Sequence, residues 1–354
     1  MWRHLRRALK SSALQSGRVT AIEARALERE FEGGIRAVDG VDLRVAKGEI
    51  YAFLGPNGAG KTTTVRMLTT LLRPTGGEAA VAGHDVVADA GEVRRSIGVA
   101  LQEAALDPLM TGRELIRLQA TLHALPAAEG RARSDELLRR VGLSEAADRR
   151  IGTYSGGMRR RLDLASALVH EPEVLFLDEP TTGLDPVSRK AIWEEVVKLN
   201  REGTTVFLTT QYLEEADQLA DRVGIISAGR LVAEGTPAAL KAEVGLPRLE
   251  ITLAEGSPTD CAHVLSRFGE QLPAKDGALV VELPQGAAGI APVVRALDEA
   301  GVLVESLDLH EPSLDDVFVE QTGRHLEGAE QPAADGAEPV ATPGAGEPEA
   351  APRT

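Results

Sequence analysis

The 354-residue sequence predicts an α/β fold, in which a parallel sheet core is followed by a small α+β unit. Three short, continuous apolar runs, at residues 50–54, 173–177 and 204–208, are typical of strands buried on both faces. Apolar residues at helical spacing lie between the runs and predict, for example, a helix at residues 187–199. A glycine-rich loop joins the first run to a helix, which is a common strand–loop–helix arrangement of such folds.

Other elements complete a first domain predicted at residues 19–245. Val41, Leu43 and Val45 alternate with polar residues and predict a strand ahead of the core. Residues 102–168 show mainly helical spacing, and two short runs around Ala228-Gly229 predict a closing hairpin. The first domain is therefore expected to combine a mixed sheet with antiparallel β and helical subdomains.

A second domain is predicted at residues 247–323. Its pattern indicates alternating strands and helices in the order βαβαβα, with strands at 249–253, 278–283 and 302–309 and helices at 259–268, 290–300 and 314–321. This order predicts a small α+β domain, for which a ferredoxin-like arrangement is one candidate. It contains no obvious catalytic constellation, so we interpret it as a regulatory or docking module.

The two ends of the chain differ in charge. Residues 1–18 carry five basic groups and no acidic group, and this arm is predicted to be disordered, with a lipid-binding helix as the alternative. Residues 324–354 are rich in Ala, Gly, Pro and Glu and predict an acidic disordered tail.

Composition excludes several classes of function. The net charge of −15 makes general nucleic-acid binding improbable, since phosphate backbones require basic surfaces. The single cysteine, Cys261, excludes an intrachain disulfide and suits a reducing cytosol. No uncharged apolar stretch approaches the roughly 18–20 residues that span a bilayer, so a role at a membrane would require another chain to cross it.

The loop Gly55-Pro56-Asn57-Gly58-Ala59-Gly60-Lys61-Thr62 has the pattern G-x-x-x-x-G-K-T. Glycines let the backbone wrap around an anion, and the N–H groups at the following helix N-terminus point at phosphate oxygens. Lys61 would place a charge on the β- and γ-phosphates, and the Thr62 hydroxyl would coordinate Mg²⁺. The loop therefore predicts a site for a magnesium nucleotide.

Two further stretches make this site more specific. The apolar run at residues 174–177 ends in Asp178 and Glu179, which predicts a Mg²⁺-binding carboxylate followed by a carboxylate that accepts a proton from attacking water. Tyr154-Ser155-Gly156-Gly157-Met158 precedes a helix and predicts a second anion-facing group. Each of the two alone is also compatible with a solvated strand end or an ordinary helix cap.

Together these stretches resemble the ATP-binding subunit of an ABC transporter over residues 19–244. Residues 55–62 resemble the Walker A motif, residues 175–179 the Walker B motif with its catalytic glutamate, and residues 154–158 the ABC signature. The order and spacing are those of the family, which implies the fold of the P-loop NTPases and an ATPase activity.

The resemblance also assigns roles to individual residues. Gln102 matches the Q-loop glutamine, which binds Mg²⁺ and water, Asp185 the D-loop aspartate, and Phe31 the aromatic residue that stacks on adenine. The nucleotide-binding residues that the resemblance implies are Phe31, Gly55, Pro56, Asn57, Gly58, Ala59, Gly60, Lys61, Thr62, Thr63, Ser155, Gly156, Gly157 and Asp185. The implied Mg²⁺ ligands are Thr62, Gln102 and Asp178, and the implied catalytic residues are Glu179, Lys61, Gln102 and Gln211.

Because the chain has one copy of each motif, the resemblance implies a head-to-tail homodimer that encloses two ATP molecules. Ser155 and Gly157 of one copy would contact the γ-phosphate held by the other, and Asp185 would link the two sites. The resemblance further implies an integral membrane permease as partner, contacted near Gln102, and a location on the cytoplasmic face of the membrane.

The sequence departs from the family at Gln211, where a histidine is usual. A glutamine amide can donate a hydrogen bond but cannot carry a charge, so either turnover is slow or Gln211 is a neutral sensor of the γ-phosphate. Glutamine here is similar to the daunorubicin-resistance branch of the family, and so is Glu311-Pro312-Ser313-Leu314-Asp315-Asp316-Val317-Phe318. This branch implies export of drugs, antibiotics or other amphipathic molecules.

Two alternative functions stay open on the sequence. A soluble ATP switch of the same superfamily would act on ribosomes or DNA. Its ribosome-acting members usually have two ATP domains in one chain, whereas one is found here. Its DNA-repair members have a long coiled coil between the Walker A motif and the signature, whereas only about 95 residues without heptads separate Lys61 from Ser155. A weakly hydrolysing regulatory subunit would rest on Gln211 alone.

Overall fold

The computed structural model describes residues 19–101, 106–254, 262–272 and 278–324. The arm predicted at residues 1–18, Gln102 of the predicted Q-loop and residues 325–354 of the predicted tail lie outside the described residues.

A six-stranded sheet forms the centre of the first part of the chain, in the order β10-β9-β3-β8-β7-β6. Neighbours from β9 to β6 pair in parallel, whereas β10 pairs with β9 as an antiparallel hairpin. The strands are β3 (Ile50–Leu54), β6 (Ile97–Ala100), β7 (Val174–Asp178), β8 (Thr205–Thr210), β9 (Arg222–Ser227) and β10 (Arg230–Gly235). The predicted parallel core is confirmed, and β3 has the predicted bounds.

Both faces of this sheet are covered, which explains the continuous apolar runs. Alternate side chains of β3, β7 and β8 enter two separate hydrophobic clusters, one on each face. The aromatic side chains of these three strands lie on one face, where the Phe207 ring is 5.6 Å from Tyr51 and 5.5 Å from Phe176, centroid to centroid. The sheet is therefore a rigid platform for the loops at its ends.

An antiparallel sheet covers the aromatic face, in the order β2-β1-β4-β5. Its strands are β1 (Thr20–Phe31), β2 (Ile35–Ala46), β4 (Gly76–Val81) and β5 (His84–Asp85). The alternation at Val41, Leu43 and Val45 predicted β2 correctly, and all three side chains are buried.

Helices cover the opposite face, and two further helices pack on the aromatic face. In chain order the helices are α1 (Lys61–Leu68), α2 (Ala90–Ser96), α3 (Gly112–Leu122), α4 (Ala127–Arg140), α5 (Gly156–Ala167), α6 (Pro186–Arg201), α7 (Leu213–Leu219) and α8 (Pro237–Val244). Val65 of α1 and Val93 of α2 belong to the cluster on the aromatic face, whereas α3 to α8 contribute to the cluster on the opposite face. Helices α3, α4 and α5 form the helical region that was predicted at residues 102–168. A capping box at Thr111 and Glu114 begins α3, and Ser155 caps α5.

The C-terminal part contains a four-stranded antiparallel sheet in the order β12-β13-β11-β14. Its elements are β11 (Arg248–Leu253), α9 (Ala262–Leu265), β12 (Gln271–Leu272), β13 (Leu279–Glu282), α10 (Ile290–Glu299) and β14 (Val304–His310). This βαββαβ order is the ferredoxin-like one. Sequence reasoning missed β12, because two residues are too short to show an alternation.

The last helix, α11 (Leu314–Thr322), packs away from this small sheet. Its Leu314, Val317 and Phe318 belong to the same hydrophobic cluster as the helices of the first part of the chain, and α11 contacts α8 and α7. The small sheet has its own core, which includes Leu249, Val281 and Leu297. The predicted domain limits at residues 245 and 247 stay a prediction.

Among the described residues, no helix combines the length and apolar character needed to cross a bilayer.

Candidate active site

The carboxyl ends of three adjacent parallel strands place the predicted site residues at one edge of the sheet. Leu54 at the end of β3 is paired with Thr210 of β8, and Asp178 at the end of β7 is paired with Thr209. The Gly55 amide donates to the Thr210 carbonyl at 3.2 Å. Ligands of open α/β sheets bind at this edge, so the register alone assembles the glycine-rich loop, the acidic pair and the segment with Gln211.

The glycine-rich loop depends on its glycines for close backbone approach. Gly60 has φ +106° at the N-cap of α1, and a Cβ there would lie 2.3 Å from the Ala37 carbonyl oxygen. A Cβ on Gly55 would lie 2.4 Å from the Ile226 carbonyl oxygen. The loop therefore packs against β2 and β9 so tightly that only glycine fits at these two positions.

Lys61 lies inside this loop at the start of α1 and is 4% exposed. Its Nζ donates to the Gly55 carbonyl at 2.7 Å and to the Pro56 carbonyl at 3.0 Å. The loop thus curls around the ammonium, which lies where helix N-terminal amides also converge.

The Asp178 carboxylate lies at the end of β7 and is 1% exposed. Its Oδ1 accepts hydrogen bonds from the Thr62 hydroxyl at 3.2 Å and from the Thr209 hydroxyl. Its Oδ2 is buried and has no hydrogen-bond partner among the described residues. A polar oxygen buried without a partner is costly, so the site fits a hard divalent cation held by oxygen ligands.

Glu179 follows in a left-handed conformation, with φ +49°. Its amide donates to both the carbonyl and the hydroxyl oxygen of Thr209, each at 3.1 Å, and these two bonds hold the turn. Its Oε1 lies 3.2 Å from Lys61 Nζ, and the Thr182 hydroxyl donates to Oε2 at 3.3 Å. The carboxylate of Glu179 is thereby directed towards the glycine-rich loop.

Phe31 at the end of β1 opens onto the same cavity, which has a volume of about 360 Å³. The ring is 40% exposed, and the Arg29 guanidinium lies 4.7 Å from its centroid. The cavity is lined by Phe31, Ile35, Ala37, Pro56, Asn57, Gly58, Gly60, Lys61, Thr62, Thr63 and Glu179. An aromatic platform at one end and phosphate-binding groups at the other match the shape of a nucleotide.

The predicted signature residues form a second group at the start of α5. The exposed Ser155 caps this helix, and its hydroxyl accepts from the Met158 amide at 3.2 Å. A Cβ on Gly157 would lie 2.6 Å from the Ser188 hydroxyl, which in turn donates to Asp185 at 2.6 Å. These hydrogen bonds lower the pKa of Asp185, so its carboxylate is ionised and fixed next to the signature.

The predicted signature residues lie apart from the cavity that contains Lys61. Within the described ranges, the lining of the Phe31–Lys61 cavity includes none of Ser155, Gly156, Gly157 and Asp185. Both groups expose polar atoms, but they do not share one cavity within the chain.

Thr209 is a site residue that sequence reasoning missed. It holds Asp178 and Glu179 at once, through its hydroxyl and its carbonyl. Its position one residue before the end of a parallel strand next to the acidic pair is a signal that could have identified it.

Comparisons with known proteins agree with this geometry. The profile of the family described as ABC transporter matches residues 38–182, and that of the "ATP-binding protein DrrA1-3-like, C-terminal domain" matches residues 235–322. The chain is 50% identical over 305 residues to the daunorubicin resistance ATP-binding protein DrrA3 of Streptomyces coeruleorubidus. The aligned residues make up 86% of this chain and 96% of that protein. This chain belongs to the ABC transporter ATP-binding proteins.

Two more relatives of this ABC ATP-binding protein show how far the similarity extends. The daunorubicin/doxorubicin resistance ATP-binding protein DrrA of Streptomyces peucetius is 47% identical, over 86% of this chain and 92% of that protein. The Nod factor export ATP-binding protein I of Burkholderia thailandensis is 39% identical, over 87% of this chain and 99% of that protein.

Solved structures give the same family. CbiO1 of Clostridium perfringens, part of the ABC transporter complex CbiONQ, has a TM-score of 0.59 and 29% identity over 63% of this chain and 91% of that chain. A dimeric ATP-binding cassette in a post-hydrolysis state, bound to ADP and Pi, has a TM-score of 0.57 and 28% identity over 61% of this chain and 98% of that chain. This ABC ATP-binding protein is accordingly an ATP-binding and ATP-hydrolysing enzyme. ABC ATPase subunits generally dimerise and pair with membrane permeases.

Proposed function

We propose that this protein powers an exporter of drugs, antibiotics or other amphipathic molecules, by closing as a head-to-tail homodimer on ATP. The separation of the two phosphate-facing groups within one chain carries this proposal. A single copy offers the Lys61 loop to one nucleotide and the exposed Ser155 to another. The resistance and export named for its relatives support the cargo class.

In this mechanism the loop amides and Lys61 bind the phosphates, and Phe31 stacks on the base. The Lys61 ammonium leaves the carbonyls of Gly55 and Pro56 for the β- and γ-phosphate oxygens, which offer stronger charge-assisted bonds. Phosphoryl transfer needs positioning and charge neutralisation more than covalent chemistry by the protein. The loop supplies both.

Thr62 and Asp178 would hold Mg²⁺, joined by Gln102 on the basis of the resemblance. The unpartnered Oδ2 of Asp178 and the adjacent Thr62 hydroxyl supply the oxygen ligands that this ion prefers. When bound, the ion would neutralise charge that develops on the phosphates during transfer.

Glu179 would accept the proton of the attacking water. The two bonds from its amide to Thr209 fix the backbone, and its Oε1 lies 3.2 Å from Lys61 Nζ, at the end of the loop where a γ-phosphate would lie. A general base must lie within hydrogen-bonding reach of the proton that it removes, and the position of Glu179 next to Lys61 supports this role.

Closure would make hydrolysis conditional on dimerisation. Ser155 and Gly157 of the second copy donate to the γ-phosphate only when the two copies meet, and loss of that phosphate weakens the closed state. Asp185, which is hydrogen-bonded beside the signature, would transmit the state of one site to the other. A separate permease would hold the dimer at the cytoplasmic face of the membrane, with residues 247–323 as an accessory docking or regulatory unit.

The decisive experiment traps the closed dimer. Glu179→Gln should lower the steady-state hydrolysis rate at least about a hundredfold while leaving ATP binding intact, because the amide no longer accepts the proton. Sizing chromatography of this variant should show a dimer with ATP and a monomer with ADP. Glu179→Gln/Lys61→Ala is the matched control and should stay monomeric with either nucleotide. A dimer that forms with ADP but not with ATP would refute closure on ATP.

A further inference from the structure

The guanidinium of Arg160, on the second turn of α5, reaches out of the helical region to the end of the central sheet. Its Nη2 donates to the Asp178 carbonyl at 2.8 Å, and its Nε to the Pro180 carbonyl at 2.9 Å. Its Nη1 donates to the Leu101 carbonyl at 2.5 Å. One side chain thus joins three backbone segments that are distant in the sequence.

Each of these three carbonyls belongs to a residue that is next in the sequence to a residue with a proposed role in hydrolysis. Asp178 and Pro180 immediately precede and follow Glu179, and Leu101 immediately precedes Gln102. The Arg160 bonds therefore hold the backbone before and after Glu179, in the turn where its φ is +49°. A residue in this left-handed conformation persists only where its surroundings hold it, and Arg160 supplies two of the bonds that do so.

The environment of Arg160 favours this role. Its side chain is 11% exposed, and burial lowers the pKa of the guanidinium, opposed by the nearby Asp163 carboxylate. Asp163 Oδ2 lies 3.3 Å from Nη1. A planar guanidinium can serve diverging carbonyls at once, whereas a lysine ammonium at the end of a flexible stem cannot reach all three in one geometry.

We propose that Arg160 is a positioning residue that holds Glu179 in its hydrolytic orientation and ties it to the signature helix of the same subunit. This inference rests on the role proposed for Glu179. Ser155 caps α5 and Arg160 lies five residues later, about 7 Å along the helix axis. A shift of α5 on contact with the second nucleotide therefore moves the backbone that carries Glu179 in the first site.

Arg160→Met tests the proposal by steady-state kinetics of the purified full-length chain. The turnover number should fall at least about tenfold with the KM for ATP within about threefold, because small displacements of a catalytic group cost rate more than binding. Arg133→Met is the matched control, since Arg133 is similarly buried at 16% side-chain exposure and donates to the Leu168 carbonyl, away from Glu179. Its turnover should stay within about twofold of the unsubstituted chain.

Arg160→Lys keeps the proposal testable if Arg160→Met does not fold. The lysine retains the positive charge. A thermal midpoint equal to that of the unsubstituted chain would show that this variant is folded, and its turnover number should still be at least about threefold lower. A turnover equal to that of the unsubstituted chain in a folded Arg160→Met or Arg160→Lys variant would overturn the proposal. A loss no larger than that of Arg133→Met would do the same.

A double substitution separates this proposal from the proposed function. Arg160→Met/Glu179→Gln should still form the ATP-dependent dimer, because Arg160 acts on hydrolysis and not on closure. Failure of the double variant to dimerise, when Glu179→Gln alone does, would overturn the positioning role. Failure of Glu179→Gln alone would instead count against the proposed function, and the comparison of Arg160→Met with Arg133→Met would then decide for Arg160.

Discussion

At the scale of single residues, the site depends on backbone hydrogen bonds as much as on charged side chains. Thr209 holds Asp178 through its hydroxyl and Glu179 through two acceptor oxygens. Gln211 follows two residues later, at the end of a strand whose Thr210 carbonyl accepts from the Gly55 amide. The phosphate loop, the acidic pair and the Gln211 segment therefore cannot move independently.

Gln211 is expected to act as a neutral hydrogen-bond donor to the γ-phosphate. Gln211→Ala should lower the turnover number about tenfold or more with little change in ATP affinity, since the donor is lost but the loop remains. Gln211→His should retain most of the turnover and add a pH dependence near the histidine pKa of about 6.5. Hydrolysis assays from pH 6 to 8 measure both effects. Equal rates for Gln211→Ala and the unsubstituted chain would contradict the sensor role.

Asp163 gives a pH dependence of stability. Burial raises the pKa of this carboxyl to about 6, although Arg160 acts to lower it. The folded state therefore binds more protons than the unfolded state between about pH 4 and pH 6, and stability falls as pH rises through that range. Asp163→Asn has no carboxyl to ionise and therefore does not show this loss. The free energy of unfolding of the variant, relative to that of the unsubstituted chain, should therefore rise by about 1 kcal/mol between pH 5 and pH 7.

Urea unfolding at the two pH values measures this difference. The same substitution at the exposed Asp298 serves as control and should show no comparable rise. A difference that falls with pH would show that Asp163 is ionised more readily in the folded protein.

At the scale of elements, α5 and α11 each connect parts of the chain that are far apart in the sequence. Helix α5 carries the predicted signature at its start and Arg160 one turn later. Helix α11 ends the C-terminal part but packs on α8 and α7, next to the segment that follows Gln211. Because α11 lies in the core of the ATP-binding part, the segment that forms the small sheet is attached to that part both where it begins, after α8, and where it ends, at α11.

Phe318 tests this attachment. It is 2% exposed in the cluster shared with the first part of the chain. Phe318→Ala should reduce the free energy of unfolding by about 3 kcal/mol, because a large buried ring leaves a cavity. Glu320→Ala, on the exposed face of α11, should change it by no more than about 0.5 kcal/mol. A loss below about 1 kcal/mol for Phe318→Ala in urea unfolding would mean that α11 is not held in this core.

At the scale of the whole molecule, a head-to-tail pair predicts complementation between two inactive variants. Lys61→Ala removes the phosphate loop charge, and Ser155→Arg places a bulky charge where Ser155 would face the second nucleotide. Each variant alone should be inactive. An equal mixture should recover activity, because one site of each mixed dimer combines an intact Lys61 loop with an intact Ser155.

The recovery should reach about a quarter of the activity of the unsubstituted chain, since half of the dimers are mixed and each has one intact site. Hydrolysis assays across mixing ratios measure this. Mixing Lys61→Ala with Glu179→Gln is the control and should recover nothing, because every mixed dimer then lacks one group in each site. No recovery in the first mixture would contradict the head-to-tail arrangement.

Much of the fold could be predicted because burial on both faces leaves a continuous apolar run. Ile50–Leu54 has its predicted bounds for this reason, and the parallel core follows from three such runs with helices between them. Short elements without a hydrophobic period, such as β12 and α2, left no readable pattern. The packing of α11 was also missed, because an amphipathic helix does not specify which core its apolar face joins.

The sequence by itself determined the chemistry of this protein. The glycine-rich loop, the acidic pair and the serine–glycine cap are local patterns whose spacing reflects local backbone geometry. Only the tertiary structure decided which of them meet. Strand register placed Asp178 and Glu179 beside Lys61, whereas the packing of α5 kept Ser155 out of that cavity and brought Arg160 to the carbonyls around Glu179. Such contacts depend on how strands and helices pack, and the sequence around each residue alone does not contain that information.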